Sequence, residues 1–174
     1  MRRKDREVSE IGEQLAIIDR CSVCRLALQD EEGLYLLPLN FGYEYKEGKL
    51  VLYFHSARQG RKITAIGAGC QVAFEMDGAH QLITGNTACE YGFAFECVMG
   101  NGTASIVDDI AEKKHGLELL MQQQTRGVQP EGQQPDAPGA CRQPAFVFTD
   151  QMAASVAVIK VEVRNFTAKR RNML

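Results

Sequence analysis

Residues 34–63 read LYLLPLNFGYEYKEGKLVLYFHSARQGRKI. Tyr35, Leu37, Leu39, Phe41, Tyr43 and Tyr45 recur at every second position, the period of a strand that buries one face. Lys46-Glu47-Gly48-Lys49 then connects to a second run, Leu50 to His55. The chain passes from there into a helix start carrying adjacent cations, Arg61 and Lys62. Two paired strands, Leu34–Tyr45 and Leu50–His55, feeding a helix over about Arg58–Ala68, make an anion corner. Unpaired helix N–H groups and two basic side chains there favour a phosphate.

The same alternation continues outward. Strands are expected over Val23–Leu28, Cys70–Asp77, about Phe93–Val107, and Val156–Phe166 with Ile159, Val161 and Val163 inward. Cys70, Val72, Phe74 and Met76 form the inward face of the Cys70–Asp77 strand. Helices are expected over Glu10–Asp19 with Ser9 as N-cap, and over Asp108–Gln124. Thr125 to Pro144 is polar and holds four of the five prolines, which forbids regular structure. The pattern is mainly β with peripheral helices, arranged as one domain over 1–174. Hairpin spacing favours an antiparallel barrel over a doubly wound sheet.

Composition narrows the function. Twenty basic residues against 22 acidic ones give no bulk charge for nucleic acid or an anionic membrane. The basic start Arg2-Arg3-Lys4 leads into no apolar h-region, and no run approaches the ~20 apolar residues of a membrane span. A cytoplasmic protein is expected. Cys21 and Cys24 make one C-x-x-C, whereas Cys70, Cys89, Cys97 and Cys141 are scattered without a second pair, so no metal site is expected.

Pro38 cannot donate to a ladder, so it marks an edge, a bulge, or a place where something other than a strand lies alongside. Asn40 and Gly42 share its face and would let a planar ligand approach the backbone. A guarded edge strand explains Pro38 equally well. His55 is either an ordinary polar residue at a strand end or a proton donor between a ring site and the phosphate corner. Arg61 and Lys62 are either solvated helix charges or phosphate ligands, with Ser56 beside them. His80 and His115 have no evident partners in sequence. Gly100-Asn101-Gly102 lacks the third glycine of a nucleotide fingerprint and reads as a bulge or a close backbone approach.

Taken together, Pro38-Leu39-Asn40-Phe41-Gly42-Tyr43, Leu52-Tyr53-Phe54-His55-Ser56-Ala57 and Gly60-Arg61-Lys62-Ile63 resemble the FMN-binding split-barrel family. More narrowly they are similar to the nitroimidazole-resistance (Nim-type) branch of pyridoxamine 5′-phosphate oxidase-like proteins. Cys21-Ser22-Val23-Cys24-Arg25-Leu26-Ala27-Leu28 and Phe95-Glu96-Cys97-Val98-Met99-Gly100-Asn101-Gly102 carry the same resemblance. It implies a six-stranded antiparallel split barrel that forms a homodimer with FMN at the subunit interface. It further implies that Arg61, Lys62 and Ser56 hold the flavin phosphate. Pro38, Leu39 and Asn40 would lie against the ring, and His55 would sit near flavin and substrate. The implied activity is an FMN-dependent oxidoreductase acting on a small acceptor, nitro-aromatics among the candidates, with NAD(P)H a candidate donor. A flavin- or haem-binding module without turnover is the alternative, with His55 as an axial ligand. The substrate-phosphate motif of true pyridoxamine phosphate oxidases has no counterpart in Val161-Glu162-Val163-Arg164-Asn165, and the chain has no tryptophan.

Overall fold

Asn40 breaks what periodicity reads as one strand. In the computed structural model, which describes residues 3–126 and 146–172, the quoted stretch forms β3 (Gly33–Leu39) and β4 (Phe41–Lys46), and these pair with different neighbours. β3 pairs antiparallel with β2 (Cys24–Asp30), with Pro38 opposite Arg25. β4 pairs with β5 (Lys49–Ser56), with Phe41 opposite Phe54. The β4–β5 hairpin turns through Glu47 and Gly48, both at positive φ (51° and 78°), the handedness a two-residue connection between twisted strands requires.

The remaining strands are β1 (Glu7–Val8), β6 (Cys70–Ile83), β7 (Gly92–Ile106) and β8 (Ala157–Arg171). The sheet order is β3-β2-β6-β7-β8-β5-β4, with β1 on β8, and every pairing is antiparallel. The architecture is mainly β, as expected, and has the form of a split barrel. The expected six strands are eight, because Asn40 divides one of them and β1 adds another. The ladder does not close, and its two end strands, β3 and β4, are joined through Asn40 alone.

Among the described residues four α-helices accompany the sheet: α1 (Ile11–Arg20), α2 (Arg61–Ile66), α3 (Ile110–Gln124) and α4 (Asp150–Ala154). All three expected helices start later than expected, α3 at Ile110 behind its N-cap Asp109 rather than at Asp108. Glu10, not Ser9, is the N-cap of α1. α2 is shorter than Arg58–Ala68 because Gly60, at φ 125°, holds the chain out of helical geometry until Arg61. α4 was not foreseen; Thr149 caps it by accepting from the Met152 N–H. The expected excursion at Thr125–Pro144 lies largely outside the described residues. No helix among the described residues is long and apolar enough to cross a membrane.

The core fills the inside of the sheet. Leu26, Phe41, Leu52, Phe54, Phe74, Met76, Val98, Ile159 and Val161 are buried there with Ile17 and Ile18 of α1. Each full burial of such a side chain is worth about 1.5–3 kcal/mol. A second cluster lies on the other face, where α3 and α4 cover Tyr53 and Val158. Glycine sets this helix–sheet approach. A Cβ on Gly42 would stand 2.3 Å from the backbone of Leu119 and Leu120, and one on Gly116 would stand 2.7 Å from the Tyr53 ring. The bare backbone at Gly42 is therefore taken up by α3, where the sequence suggests room for a planar ligand. Gly102 sits at a register shift in the β7–β8 ladder, so the Gly100-Asn101-Gly102 run is a bulge.

Candidate functional site

β5 delivers its C-terminal residues to the corner that precedes α2. Alternation sends Phe54 and Ser56 to the core face and His55 to the opposite one, where it is exposed. Ser56 lies opposite Ala157 at the start of β8 and is buried at 7 % exposure. Among the described residues, its hydroxyl is the one buried side-chain polar atom with no hydrogen-bond partner. Leaving such a group unpaired costs about 1–3 kcal/mol, so its persistence calls for a reason.

Beyond Ser56 the chain is exposed through Ala57, Arg58, Gln59 and Gly60. A shallow depression open to solvent is lined by Ala57, Arg58, Gln59 and Ser155. Ser155 ends α4, two residues ahead of the β8 residue that pairs with Ser56, so the depression lies at this end of β5 and β8. Arg58 and Lys62 have no carboxylate partner among the described residues. Neither Arg58 nor Ser155 was singled out from sequence. The signal for Arg58 was its place three residues before Arg61 in the same basic run.

Arg61 is differently placed. Its Nε and one terminal nitrogen donate to the two carboxylate oxygens of Asp30 at 2.7 and 2.9 Å, and the other terminal nitrogen lies 3.1 Å from Glu32. Its guanidinium carbon stands 4.4 Å from the centre of the Tyr35 ring. The pairing holds the Asp30 carboxyl below its ordinary pKa. The expected phosphate ligand is thus engaged by the acidic turn between β2 and β3.

The proposed ring strand is mixed in the same way. Pro38 and Asn40 are exposed and Leu39 is half-buried. Pro38 lies in β3, whose only ladder partner among the described residues is β2. Asn40 does not reach out freely: its amide nitrogen donates to the Ser22 carbonyl at 3.0 Å and to the Gln124 side-chain oxygen at 2.9 Å. Gln124 in turn donates to the carbonyls of Ser22 and Phe41. The break between β3 and β4 is thereby fixed to the C-terminal end of α3.

The other two histidines do have partners. His115 lies 3.2 Å from Glu44 and edge-on to Tyr53, and His80 lies 2.8 Å from Asp77. His55 alone of the three has none among the described residues and stands exposed. The five described cysteines are free thiols. Burial raises the thiol of Cys21 to about 12 and that of Cys24 further still, so neither is a ready nucleophile. No cluster of metal-ligating side chains occurs among the described residues.

At the end of β5 lie the buried, unpartnered Ser56 hydroxyl, the exposed His55 and the depression at Arg58; among the described residues no hydrogen bond or ion pair joins these to Pro38, Asn40 or Lys62. A crystal structure of a candidate 5-nitroimidazole antibiotic resistance protein from Bacteroides thetaiotaomicron is 26 % identical, with a TM-score of 0.71 over 94 % of this chain and 86 % of that one. The flavocytochrome Anf3 of Azotobacter vinelandii (18 % identity, TM-score 0.70, 99 % and 72 % covered) shares the fold. So does an FAD- and haem-binding protein of Mycobacterium smegmatis (15 %, 0.72, 96 % and 74 %). Among curated proteins no sequence matches. The family model described as pyridoxamine 5′-phosphate oxidase matches residues 10–169, nearly the whole described chain, and the protein therefore belongs to that family.

Proposed function

We propose that the chain is an FMN-dependent oxidoreductase that passes electrons from a reduced donor to a small acceptor, with nitro-aromatics as the class to try first. The observation that carries this reading is the buried, unpartnered Ser56 hydroxyl at the end of the strand that leads into Arg58 and, six residues on, Lys62. A phosphate accepts from hydroxyl and ammonium donors alike, and such charge-assisted bonds are the stronger kind. FMN, when bound, supplies the redox chemistry. The chain's own residues bind and orient. Lys62 and Ser56 hold the phosphate, the edge of β3 at Pro38 and Leu39 takes the flat ring, and His55 gives or takes a proton at the acceptor.

The outer side of β3 bears on assembly. Leu34 and Leu36 are 87 % and 65 % exposed, side by side on a strand with one ladder partner. A second copy of this chain covering them would complete the site as a homodimer. Haem is the second reading, favoured by the exposed and unpartnered His55 as an axial ligand.

The test is the visible spectrum of the purified protein, mass identification of any released chromophore, and anaerobic addition of NAD(P)H. Flavin bands with FMN released and bleaching by the nicotinamide support the enzyme. A Soret band moves the reading to haem. A colourless chain that refuses added FMN removes the proposal. Sedimentation that finds only monomer refutes the homodimer.

A further inference from the structure

Arg61 raises a question that the phosphate reading leaves open. All three of its nitrogen atoms face carboxylates, two of them in a fork on Asp30 and the third on Glu32. Two carboxylates against one guanidinium leave Arg61 itself with no unpaired charge to offer. A phosphate brought to Arg61 would have to break the fork and then stand beside Asp30 and Glu32, which repel it. The flat of the guanidinium is also in use, lying over Tyr35. The groups that hold Arg61 therefore all belong to the β2–β3 hairpin, while Arg61 itself is the first residue of α2.

β3 needs such a hold. It has one ladder neighbour, β2, and its far edge pairs with nothing among the described residues. Its end at Asn40 is fastened to Ser22 and Gln124. Its beginning, at Gly33 with φ 113°, follows a turn in which the Glu32 N–H donates to Asp30 at 2.9 Å. The side chains that grip this beginning from outside the hairpin are those of Arg61.

We infer that Arg61 is a positioning residue, a strut from the start of α2 to the β2–β3 turn that sets the line of β3 and hence the seat of the flavin ring. This rests on the flavin reading above and assigns Arg61 a different part in it from a phosphate ligand. The strut acts on the ring end of the ligand, so its loss weakens a flavin with or without its phosphate.

The experiment is fluorescence titration of wild type, Arg61→Gln, Arg61→Lys and Asp30→Asn with FMN and with riboflavin, which lacks the phosphate. Arg61 is exposed and Asp30 half-buried, and a thermal melt of each variant checks that it folds. The strut predicts that Arg61→Gln weakens FMN and riboflavin by one common factor, on the order of tenfold. Arg61→Lys does not rescue, since an ammonium cannot form the fork. Asp30→Asn moves affinity in the same direction as Arg61→Gln, and the visible band of bound FMN shifts at saturation in both. Loss confined to FMN and restored by lysine overturns the strut in favour of a phosphate ligand. So does tighter FMN binding in Asp30→Asn, which would show the carboxylate to be a competitor for Arg61. Unchanged binding of both flavins in Arg61→Gln overturns it as well. Wild type that binds neither flavin rejects the flavin reading itself, and the strut's role with it.

Discussion

Replacing Ser56 by alanine should move stability and ligand affinity in opposite directions. The hydroxyl is buried on the core face of β5 with no partner, so the folded ligand-free chain carries its desolvation without return. That cost is about 1–3 kcal/mol, while the serine in an unfolded chain is fully hydrated. Alanine keeps the Cβ and its contacts and removes only the oxygen, so most of the lower figure should be recovered, about 1 kcal/mol. For a chain of this length that raises the melting temperature by about 2–4 °C. With FMN the sign reverses. A hydroxyl donating to a charged phosphate contributes about 1.5–3 kcal/mol, so Ser56→Ala should weaken FMN by at least about tenfold. Riboflavin, without the phosphate, should bind both forms alike. Differential scanning fluorimetry of the ligand-free proteins and flavin fluorescence titration read the two halves separately. A lower melting temperature in the ligand-free variant would show that the hydroxyl has a partner in solution. Unchanged FMN affinity would show that the orphaned group is unrelated to the phosphate.

Three further outcomes are expected. Gly42→Ala puts a methyl 2.3 Å from the α3 backbone, so α3 must retreat. The cost is about 1–3 kcal/mol of stability by chemical denaturation, and an unchanged midpoint would refute the packing argument. The buried Glu96 accepts from Nε and one terminal nitrogen of Arg20 at 2.6 and 2.7 Å, and this pairing holds its carboxyl below the ordinary value. A depressed folded pKa stabilises above the unfolded value of about 4.3 and loses that contribution as pH falls through the folded one. Wild type should therefore exceed Glu96→Gln by about 1.5 kcal/mol at pH 7, and melts between pH 7 and 3 should show the gap closing; a gap independent of pH refutes the assignment. His55→Ala should keep FMN affinity and slow acceptor reduction by about a hundredfold, and equal stopped-flow rates would remove its role as proton donor.

Much of the sheet was legible because burial of one face writes a two-residue period into the chain. Val72, Phe74 and Met76 alternate inward as expected, as do Ile159 and Val161. The break at Asn40 was not legible, and the reason is specific. No residue is inserted there, so Leu37, Leu39, Phe41 and Tyr43 keep facing the core on both sides of it. Periodicity records which face is buried and is blind to which strand lies alongside. The site divided along similar lines. The basic cluster before α2 and the buried Ser56 face follow from local pattern. The engagement of Arg61 by Asp30 spans 31 residues, and that of Asn40 by Gln124 spans 84. Partners at such separations are set by topology, and only the acidic run Asp30-Glu31-Glu32 hinted at a cation waiting to be met.

The place of β8 in the sheet has a consequence for the order in which the protein comes into being. Ala157–Arg171 pairs with β1, β5 and β7, and among the described residues is the only bridge joining the β5–β4 hairpin to the other strands. Of the described strands it also stands last along the chain. Until it emerges, the hairpin that carries His55 and Ser56 has no sheet to join, and β7 offers a long naked edge. Assembly must therefore wait for β8 to leave the ribosome and then close distant pairings at once, the slow regime for folding. A premature stop anywhere before Ala157 would not yield a smaller, weaker version of this protein. It would yield unpaired strands, and a cell would meet them as aggregation.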